Sequence, residues 1–370
     1  MARFMHVSDT HLGAVQYGME ERENDFYEAF SEAIDTAIEN EVDFIIHSGD
    51  LFDSSRPSNK ALHVLKENIL KLYDKKIEMI CIPGDHDRPR GRDLTAHGIF
   101  DFVGLRMIGM DDLEFMKKGD VDIGGIGNMK LYQADQLRQI YSRANEIAAG
   151  MKNCIFISHQ AIDPFFPEEQ CEAKKSDLPV NFTYMAFGHV HQFRSERVGK
   201  SLFSYAGSTE VKATKEIPGL VRQGKGVNIV DLDQEAKINR IRLKSTRMQF
   251  DLAGNMEEIF AKLDEIRGDN YKKKPLINMT FTEKIEMSYL KEKMKEYSED
   301  MIIRQPRIEV KKDQSQVDPG NARRQVDLFI NYFKSEKKGN IAYEIFKDLK
   351  NGEYSDELIL KLAEEGYNAD

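Results

Sequence analysis

Apolar and polar positions follow two rhythms along the first hundred residues. Short apolar runs, RFMHVSD, DFIIHSGD and EMICIPG, are closed by Gly, Ser or Asp and predict buried strands. Between them, the stretch from Glu20 to Asn40 carries Phe26, Phe30, Ile34 and Ile38 at four-residue spacing, and KALHVLKENILKLY has the same helical period. Strands alternating with helices predict a layered α/β fold, whose loops at the carboxyl ends of the strands are where ligands gather.

Beyond residue 100 the rhythm turns mostly to strands. LRMIG, VDIGGIG, NCIFISHQ, FTYMAFGHVH, SLFSYAGS, GVNIVDLD and INRIRL all read as strands, with one helix near Tyr132 to Ala149, and predict a second sheet packed on the first. Near Arg247 a smaller α+β pattern begins. It runs through RMQFDL, a helix from Asn255 to Ile266, PLINMTFT, a helix near Ser288 to Tyr297, and MIIRQPRIEV. KKDQSQVDPGNARR has the polar, Pro- and Gly-containing make-up of a linker. Helical stripes follow at Val326, Phe329, Ile330 and Phe333, at Ala342, Ile345, Phe346 and Leu349, and at Leu358, Ile359 and Leu362. The expected divisions are 1–246, 247–310, a linker over 311–324, and a tail over 325–370. At 370 residues the chain exceeds one ordinary core, which agrees with several domains.

Composition narrows the function classes. With 41% hydrophobic and 31% charged residues the balance is that of a soluble globular protein. The net charge of −10 means that any binding to nucleic acid must come from a local patch or from bound metal. Cys81, Cys154 and Cys171 have no metal-type spacing and read as reduced core thiols of a cytoplasmic protein. No apolar run approaches a membrane span, and Phe4-Met5-His6-Val7 reads as a strand rather than part of a secretory leader. The expected localisation is cytoplasmic, at the nucleoid.

The chemistry sits in five clusters, each just after a strand. They are Asp9 and His11 in SDTHLG, Asp50 in SGDLFD, Asp85 and His86 in PGDHD, His159 in SHQ, and His189 and His191 in GHVH. Five of the chain's nine histidines fall here, too many to assign to chance. Carboxylate and imidazole donors without thiolate suit divalent manganese, iron or zinc. One bridging carboxylate with three further ligands per ion would hold two metals, a common arrangement for phosphoester hydrolysis. His6 and His47 read as interior strand residues, and His63 and His97 as helix residues.

In this order, D-x-H, GD, GDHD, H and GHVH resemble the calcineurin-like metallophosphoesterases. The wording DTHLG, QYGMEERENDFYEAF, HSGDLFDSSRPSNKAL, SHQ and FGHVHQ is similar to the Mre-eleven/SbcD family, nuclease subunits of DNA double-strand-break repair complexes, and nearest its archaeal members. That resemblance implies a four-layer α/β/β/α sandwich with a small α+β capping domain and a C-terminal helical tail. It implies two Mn2+ ions, one on Asp9, His11, Asp50 and His191, the other on Asp50, Asp85, His159 and His189. His86 would be the catalytic histidine outside the ligand set. Where the family normally has Asn, this chain has Asp85, and where many relatives have His it has Asp53, which would either hydrogen-bond to His86 or leave exonuclease activity weaker. Asp87 would support the ligands or the turn.

The resemblance also implies partners. DNA, as double-strand ends or single strands, would meet Gln16, Tyr17, Arg88 and Arg90, with Arg92 beside them; the arginines would alternatively form internal ion pairs. Lys272 to Lys274 read as a solvated surface run. A homodimer would form through Leu62, Leu65, Ile69, Ile99 and Phe102, whose alternative is burial in the monomer. The tail would dock on a Rad-fifty-type ABC ATPase through Phe329, Ile330 and Phe333. The expected activity is single-strand endonuclease and 3′–5′ double-strand exonuclease. Two other readings stand beside it: a metallophosphatase or small-molecule phosphodiesterase, and a DNA-end-binding scaffold made sluggish by Asp85.

Overall fold

The computed structural model describes residues 2–88, 95–309 and 319–351. The chain opens with βα units: β1 (Ala2–Val7) and α1 (Glu20–Glu39), β2 (Phe44–His47) and α2 (Asn59–Asp74), then β3 (Glu78–Cys81), a 3-10 segment Ala96–Val103 and β4 (Leu105–Met107). β5 (Glu114–Lys118) and β6 (Val121–Ile126) form a hairpin, and α3 (Ala134–Ala148) leads to β7 (Cys154–His159). A short pair, β8 (Ile162–Asp163) and β9 (Ala173–Lys174), precedes β10 (Tyr184–Gly188), β11 (Arg194–Val198) and β12 (Ser201–Tyr205). After α4 (Ile217–Gln223), β13 (Gly226–Leu232) and β14 (Ala236–Arg242) return to the first sheet.

The first sheet has the order β14-β13-β1-β2-β3-β4 and the second β11-β12-β10-β7-β6-β5. Strands β1 to β4 run parallel, as do β6, β7, β10 and β12. The period of two along each strand explains the layering. Phe4, Phe44, Ile46, Ile80 and Ile82 meet Ile123, Ile155, Ile157, Tyr184 and Ala186 between the sheets. The alternate residues Met5, Val7, Ile45, Met79 and Cys81 pack beneath α1 and α2, and Phe156, Met185 and Phe187 beneath α3. Both faces of each central strand are therefore apolar, which is why these runs read as unbroken hydrophobic stretches. The result is the expected α/β/β/α sandwich. Cys81 and Cys154 are core thiols as expected, while Cys171 is half-buried and outside the core clusters.

A third sheet follows. β15 (Gln249–Gly254), α5 (Met256–Gly268), β16 (Leu276–Phe281), α6 (Met287–Lys295), β17 (Ile302–Ile303) and β18 (Arg307–Ile308) build it, with β16 parallel to β15, β17 and β18. Asn255 caps α5 by accepting from the Glu258 N–H at 2.9 Å, while Glu258 accepts from the Asn255 N–H. Its own core gathers Ile259, Leu263, Ile277, Met279, Phe281 and Leu290.

A buried ion cluster ties this small sheet to the sandwich. Arg22, wholly buried, donates to Asp25 at 2.5 Å, to Glu210 at 3.1 Å and to Gln16 at 2.7 Å. Asp25 also takes Arg247 at 2.6 Å and Lys273 at 2.8 Å. Lys273 is thus an ion-pair partner, whereas the sequence placed the whole lysine run in solvent. Residues 1–308 form one compact unit.

The second unit, from 309 on, is represented by a helical hairpin, α7 (Pro319–Phe333) and α8 (Glu336–Asn351). The predicted linker runs too far, because α7 already begins at Pro319, a residue suited to the first turn of a helix. Phe329 packs on Tyr343 and Phe346, with ring centroids 6.0 and 5.5 Å apart. Gly339 lets the helices close, since a Cβ there would lie 2.5 Å from the Ile330 Cα. Phe329 and Ile330 are therefore half-buried inside the hairpin, while Leu328, Tyr332 and Phe333 are exposed. The stripe at Leu358, Ile359 and Leu362 lies outside the described residues, and among those described no helix is long and apolar enough to cross a membrane.

Asp25 is the test of the cluster. Burial pushes its carboxyl up, but Arg247, Lys273 and Arg22 pull it further down, so it is held below its ordinary value. A carboxylate lowered in the folded state stabilises above its unfolded pKa and loses that stabilisation as pH falls towards the folded one. Asp25→Ala leaves three cations short of a partner and is expected to cost about 3–5 kcal/mol at neutral pH in urea denaturation. Glu235→Gln, which breaks an exposed pair with Arg197, is expected to cost under about 1 kcal/mol.

Candidate metal centre

The five clusters leave five parallel strands at the same end. Asp9 and His11 follow β1, Asp50 follows β2, Asp85 and His86 follow β3, His159 ends β7, and His189 and His191 follow β10. Their donor atoms meet in groups small enough for one ion each: Asp9, His11 and His191; Asp9, Asp50 and His159; Asp85, His159 and His189; and two that include His86, with His11 and Asp53 or with Asp50 and Asp85. The turns that do this are bent. Asp9, His11, Asp50 and His189 have φ of 52, 44, 56 and 84°, half of the eight non-glycine residues with positive φ among those described. Such backbone persists only where the surroundings enforce it. Gly84 allows one turn to close, because a Cβ there would lie 2.0 Å from Asp50 Oδ1.

The imidazoles are oriented from behind. His159 Nδ1 donates to the Ser48 carbonyl at 2.7 Å, and His191 Nδ1 donates to Glu216 Oε1 at 2.9 Å. Each is thereby left with an Nε2 lone pair facing inward, the arrangement by which proteins present histidine to a metal. His159 Nε2 is buried without a hydrogen-bond partner, 3.3 Å from Asp85 Oδ1, 3.5 Å from Asp50 Oδ2 and 4.0 Å from Asp9 Oδ1. His191 Nε2 faces His11 Nε2 at 3.1 Å and Asp9 Oδ1 at 3.7 Å. His189 turns Nδ1 to Asp85 at 3.2 Å.

The electrostatics state the same demand. Burial pushes the His159 imidazole down, yet Asp50, Asp85 and Asp9 hold it well above its ordinary value. Burial pushes Asp50 up, and His159 and His11 pull it further down, so it stays below the usual carboxylate range. Three carboxylates crowd one buried space that calls for positive charge, and oxygen and imidazole donors of this kind suit divalent cations. The residues present fit the metals.

Other expected residues take different places. Asp87 is buried and accepts from the backbone N–H groups of Leu51, Phe52 and Gly84 at 2.9, 2.7 and 3.2 Å, pinning the β2 and β3 loops together. Burial and the Asp50 carboxylate push it up to about 7 against those donors. Asp53 does not reach His86 through its side chain, which lies 3.8 Å away; its backbone carbonyl accepts from His86 Nδ1 at 2.8 Å. The Asp53 carboxylate instead pairs with Lys212 at 2.6 Å and faces His11 at 3.3 Å.

Gln16 is buried, with its side-chain amide committed to the Lys212 carbonyl and Arg22. Tyr17 is half-buried beneath Arg304 and bonds to Thr214. Arg88 is engaged internally with the Asn128 carbonyl at 3.0 Å and Asp111 at 3.1 Å. Arg90 and Arg92 lie outside the described residues. Leu65 and Ile69 are 0% and 1% exposed and Leu62 is half-buried, all packed in the core beneath α2. Of the apolar residues expected at a dimer face, only Ile99 and Phe102 are open to solvent; Leu70 and Tyr73 are exposed on α2 as well.

Sequence reasoning missed Lys212, whose ammonium stands 3.2 Å from His86 Nε2 and 3.2 Å from His11 Nδ1. It also missed Glu216, held below its ordinary value because Lys225 and His191 outweigh its burial. The signal was available: both lie in STEVKATKE, a loop at the carboxyl end of β12.

The calcineurin-like phosphoesterase family profile matches residues 2–193. The DNA double-strand break repair protein Mre11 of Thermoplasma acidophilum is 46% identical over 313 residues, covering 82% of this chain and 83% of that protein. The protein of the same name from Methanococcus maripaludis is 36% identical, covering 65% of this chain and 66% of its own length. That from Sulfurisphaera tokodaii is 33% identical, over 75% and 72%. With its ligand-bearing loops at the ends of five strands and these similarities along its length, the chain belongs to the calcineurin-like phosphoesterases, metal-dependent enzymes, and within them to the Mre11 family.

Proposed function

We propose that this protein is a manganese-dependent DNA nuclease that processes double-strand ends in repair, acting as a single-strand endonuclease and a 3′–5′ double-strand exonuclease. The observation that carries it is His159 Nε2, buried, unpartnered and aimed at three carboxylates. Asp9, His11, Asp50 and His191 would hold one manganese ion, and Asp50, Asp85, His159 and His189 the other. Bound there, the ions would activate a water and offset charge on the phosphate oxygens.

The chain's own groups would do the rest. His86 directs its Nδ1 proton to the Asp53 carbonyl and is more than a third exposed; its Nε2, 3.2 Å from the Lys212 ammonium, would be the end that meets the leaving oxygen. The backbone N–H of His86 also donates to Asp50 Oδ1 at 2.9 Å, which ties its position to the proposed bridging carboxylate. Lys212, between His86 and Asp53, would add positive charge on the same side. Asp85 adds a negative charge where the family has a neutral Asn, which tightens cation binding and repels the phosphate.

The domains proposed are a nuclease domain over 1–246, a cap over 247–310 that contacts DNA, and a helical tail. The partner proposed for the tail is a Rad-fifty-type ABC ATPase. Leu328, Tyr332 and Phe333 now replace Phe329 and Ile330 as the side chains offered to it. A homodimer is proposed through Ile99 and Phe102, 58% and 81% exposed on the segment that packs beside α2. The protein would work at the nucleoid.

His86→Ala is expected to lower manganese-dependent cleavage of a single-stranded oligonucleotide by about 10²–10⁴-fold while calorimetry still counts two ions. Hydrolysis of p-nitrophenyl phosphate without any cutting of DNA would point to a phosphatase. Asp85→Asn is expected to weaken manganese binding by about tenfold and to raise the cleavage rate at saturating metal, by the loss of one ligand charge. If the native chain cuts nothing and Asp85→Asn restores cutting, the native chain is the sluggish scaffold. Phe102→Glu places a charge on the proposed dimer face, and sedimentation is expected to show monomers at concentrations where the native chain is dimeric.

A further inference from the structure

Beside the metal centre lies a cavity of about 510 Å3 that none of these roles uses. It shares His189, His191 and Lys212 with the centre and runs on past Phe166 to Lys215 and Arg222. Phe166 is half-buried, with its ring centroid 6.4 Å from that of His189. Its neighbour Phe165 is committed elsewhere, stacked on Phe203 at 5.1 Å with Arg194 and Lys175 over its ring. Both rings line the cavity and pack on the second sheet's outer core, but Phe165 is the more heavily engaged of the two, which makes Phe166 the ring nearer the metal centre with the freer face. Lys215 Nζ sits 5.6 Å from the Phe166 centroid.

The cations divide in the same way. Lys212 is paired with Asp53 and Lys225 with Glu216, each at 2.6 Å. Lys215 and Arg222 are exposed, and among the described residues neither has a carboxylate within ion-pair distance. In a chain of net charge −10, two cations without a carboxylate partner, one of them over an aromatic ring, beside a phosphoesterase centre form a specific combination. An aromatic face with cations along its edge is how proteins hold single-stranded nucleic acid, the ring taking a base and the cations the backbone.

We propose that this cavity is a nucleotide subsite of the nuclease. It takes the base next to the scissile phosphate, stacked on Phe166, with the adjoining phosphate at Lys215 and Arg222. The identity of the substrate rests on the nuclease reading above. Lys215, which lies over the ring, would have to turn to the phosphate for the base to stack. The volume is that of a small-molecule site, sufficient for one base and its sugar and too small for a duplex. A base inside a duplex has its faces covered, so only an unpaired or splayed nucleotide can enter. Stacking is open to any base, which gives a subsite that senses strandedness without reading sequence.

The test is binding, measured by fluorescence anisotropy with chelator present so that nothing is cut. The probes are a base-bearing single strand and a fully abasic strand of the same length. The native protein is expected to prefer the base-bearing strand by about tenfold, Phe166→Ala to lose most of that preference, and Phe166→Trp to keep it. Lys215→Ala and Arg222→Ala are each expected to weaken both strands alike and to reduce the salt slope by about 0.7. Undiminished preference in Phe166→Ala, with Phe166→Trp equally unchanged, overturns the subsite. Absence of any base preference in a native protein that still cuts DNA with manganese overturns it alone, leaving the nuclease reading intact. A preference that depends on Phe166 in a protein that cuts nothing supports the subsite and sinks the nuclease reading instead.

Discussion

Asp9, Asp50 and Asp85 meet around one unpartnered imidazole nitrogen, and like charges held so close are relieved by a cation among them or by a retained proton. The rest of the molecule answers to that constraint. Five parallel strands end together, so the three acids arrive from the first sheet and His159, His189 and His191 from the second, and they need not be neighbours in sequence. The helices lie outside both sheets, and the space between the sheets is filled by branched and aromatic side chains, which leaves the strand ends as the place where polar groups can gather. The left-handed turns at Asp9, His11, Asp50 and His189 are unfavourable in isolation and are held by the strands beneath them.

Around the acids stands a ring of groups that fix direction rather than charge. Ser48 and Glu216 each hold one imidazole by its Nδ1. Asp87 holds three backbone N–H groups, and Asn128 donates to the His159 carbonyl at 3.0 Å. Lys212 and Lys225 pair with Asp53 and Glu216, so the carboxylates that orient histidines are themselves neutralised. Removing one of these groups frees a ligand to turn, which is why outer groups at such sites matter nearly as much as the ligands.

The sandwich was legible because its strands carry apolar residues on both faces, and that pattern survives without knowledge of pairing. The ligand loops were legible because D-x-H, GDHD and GHVH stand out against so few histidines. Lys212 and Glu216 were not, because a lysine and a glutamate in a polar loop resemble any solvated turn until β12 delivers them to the centre. Leu65 and Ile69 were misplaced for a related reason: one helical stripe looks alike whether it meets its own sheet or a second copy. Burial decides between the two, and burial is a property of the packed layers. Gln16 differs in the opposite sense, as a polar residue expected to face DNA whose side chain the fold encloses.

Enclosing Gln16 has a consequence for the cap. Its amide nitrogen donates to the Lys212 carbonyl at 3.0 Å, and its amide oxygen accepts from Arg22 at 2.7 Å. Arg22 pairs with Asp25, and Asp25 with Arg247 and Lys273 on the threshold of the third sheet. Tyr17 extends the same connection, with Arg304 of that sheet over its ring and Thr214 on its hydroxyl. The loop that carries Lys212 is thus joined through buried charges to the sheet beyond β14. Buried pairs of this kind add little net stability against an apolar alternative, yet breaking one strands a charge where water cannot reach it. Their effect is to make position definite. A displacement of the third sheet would have to disrupt the same cluster that fixes where the Lys212 ammonium stands against His86 and Asp53.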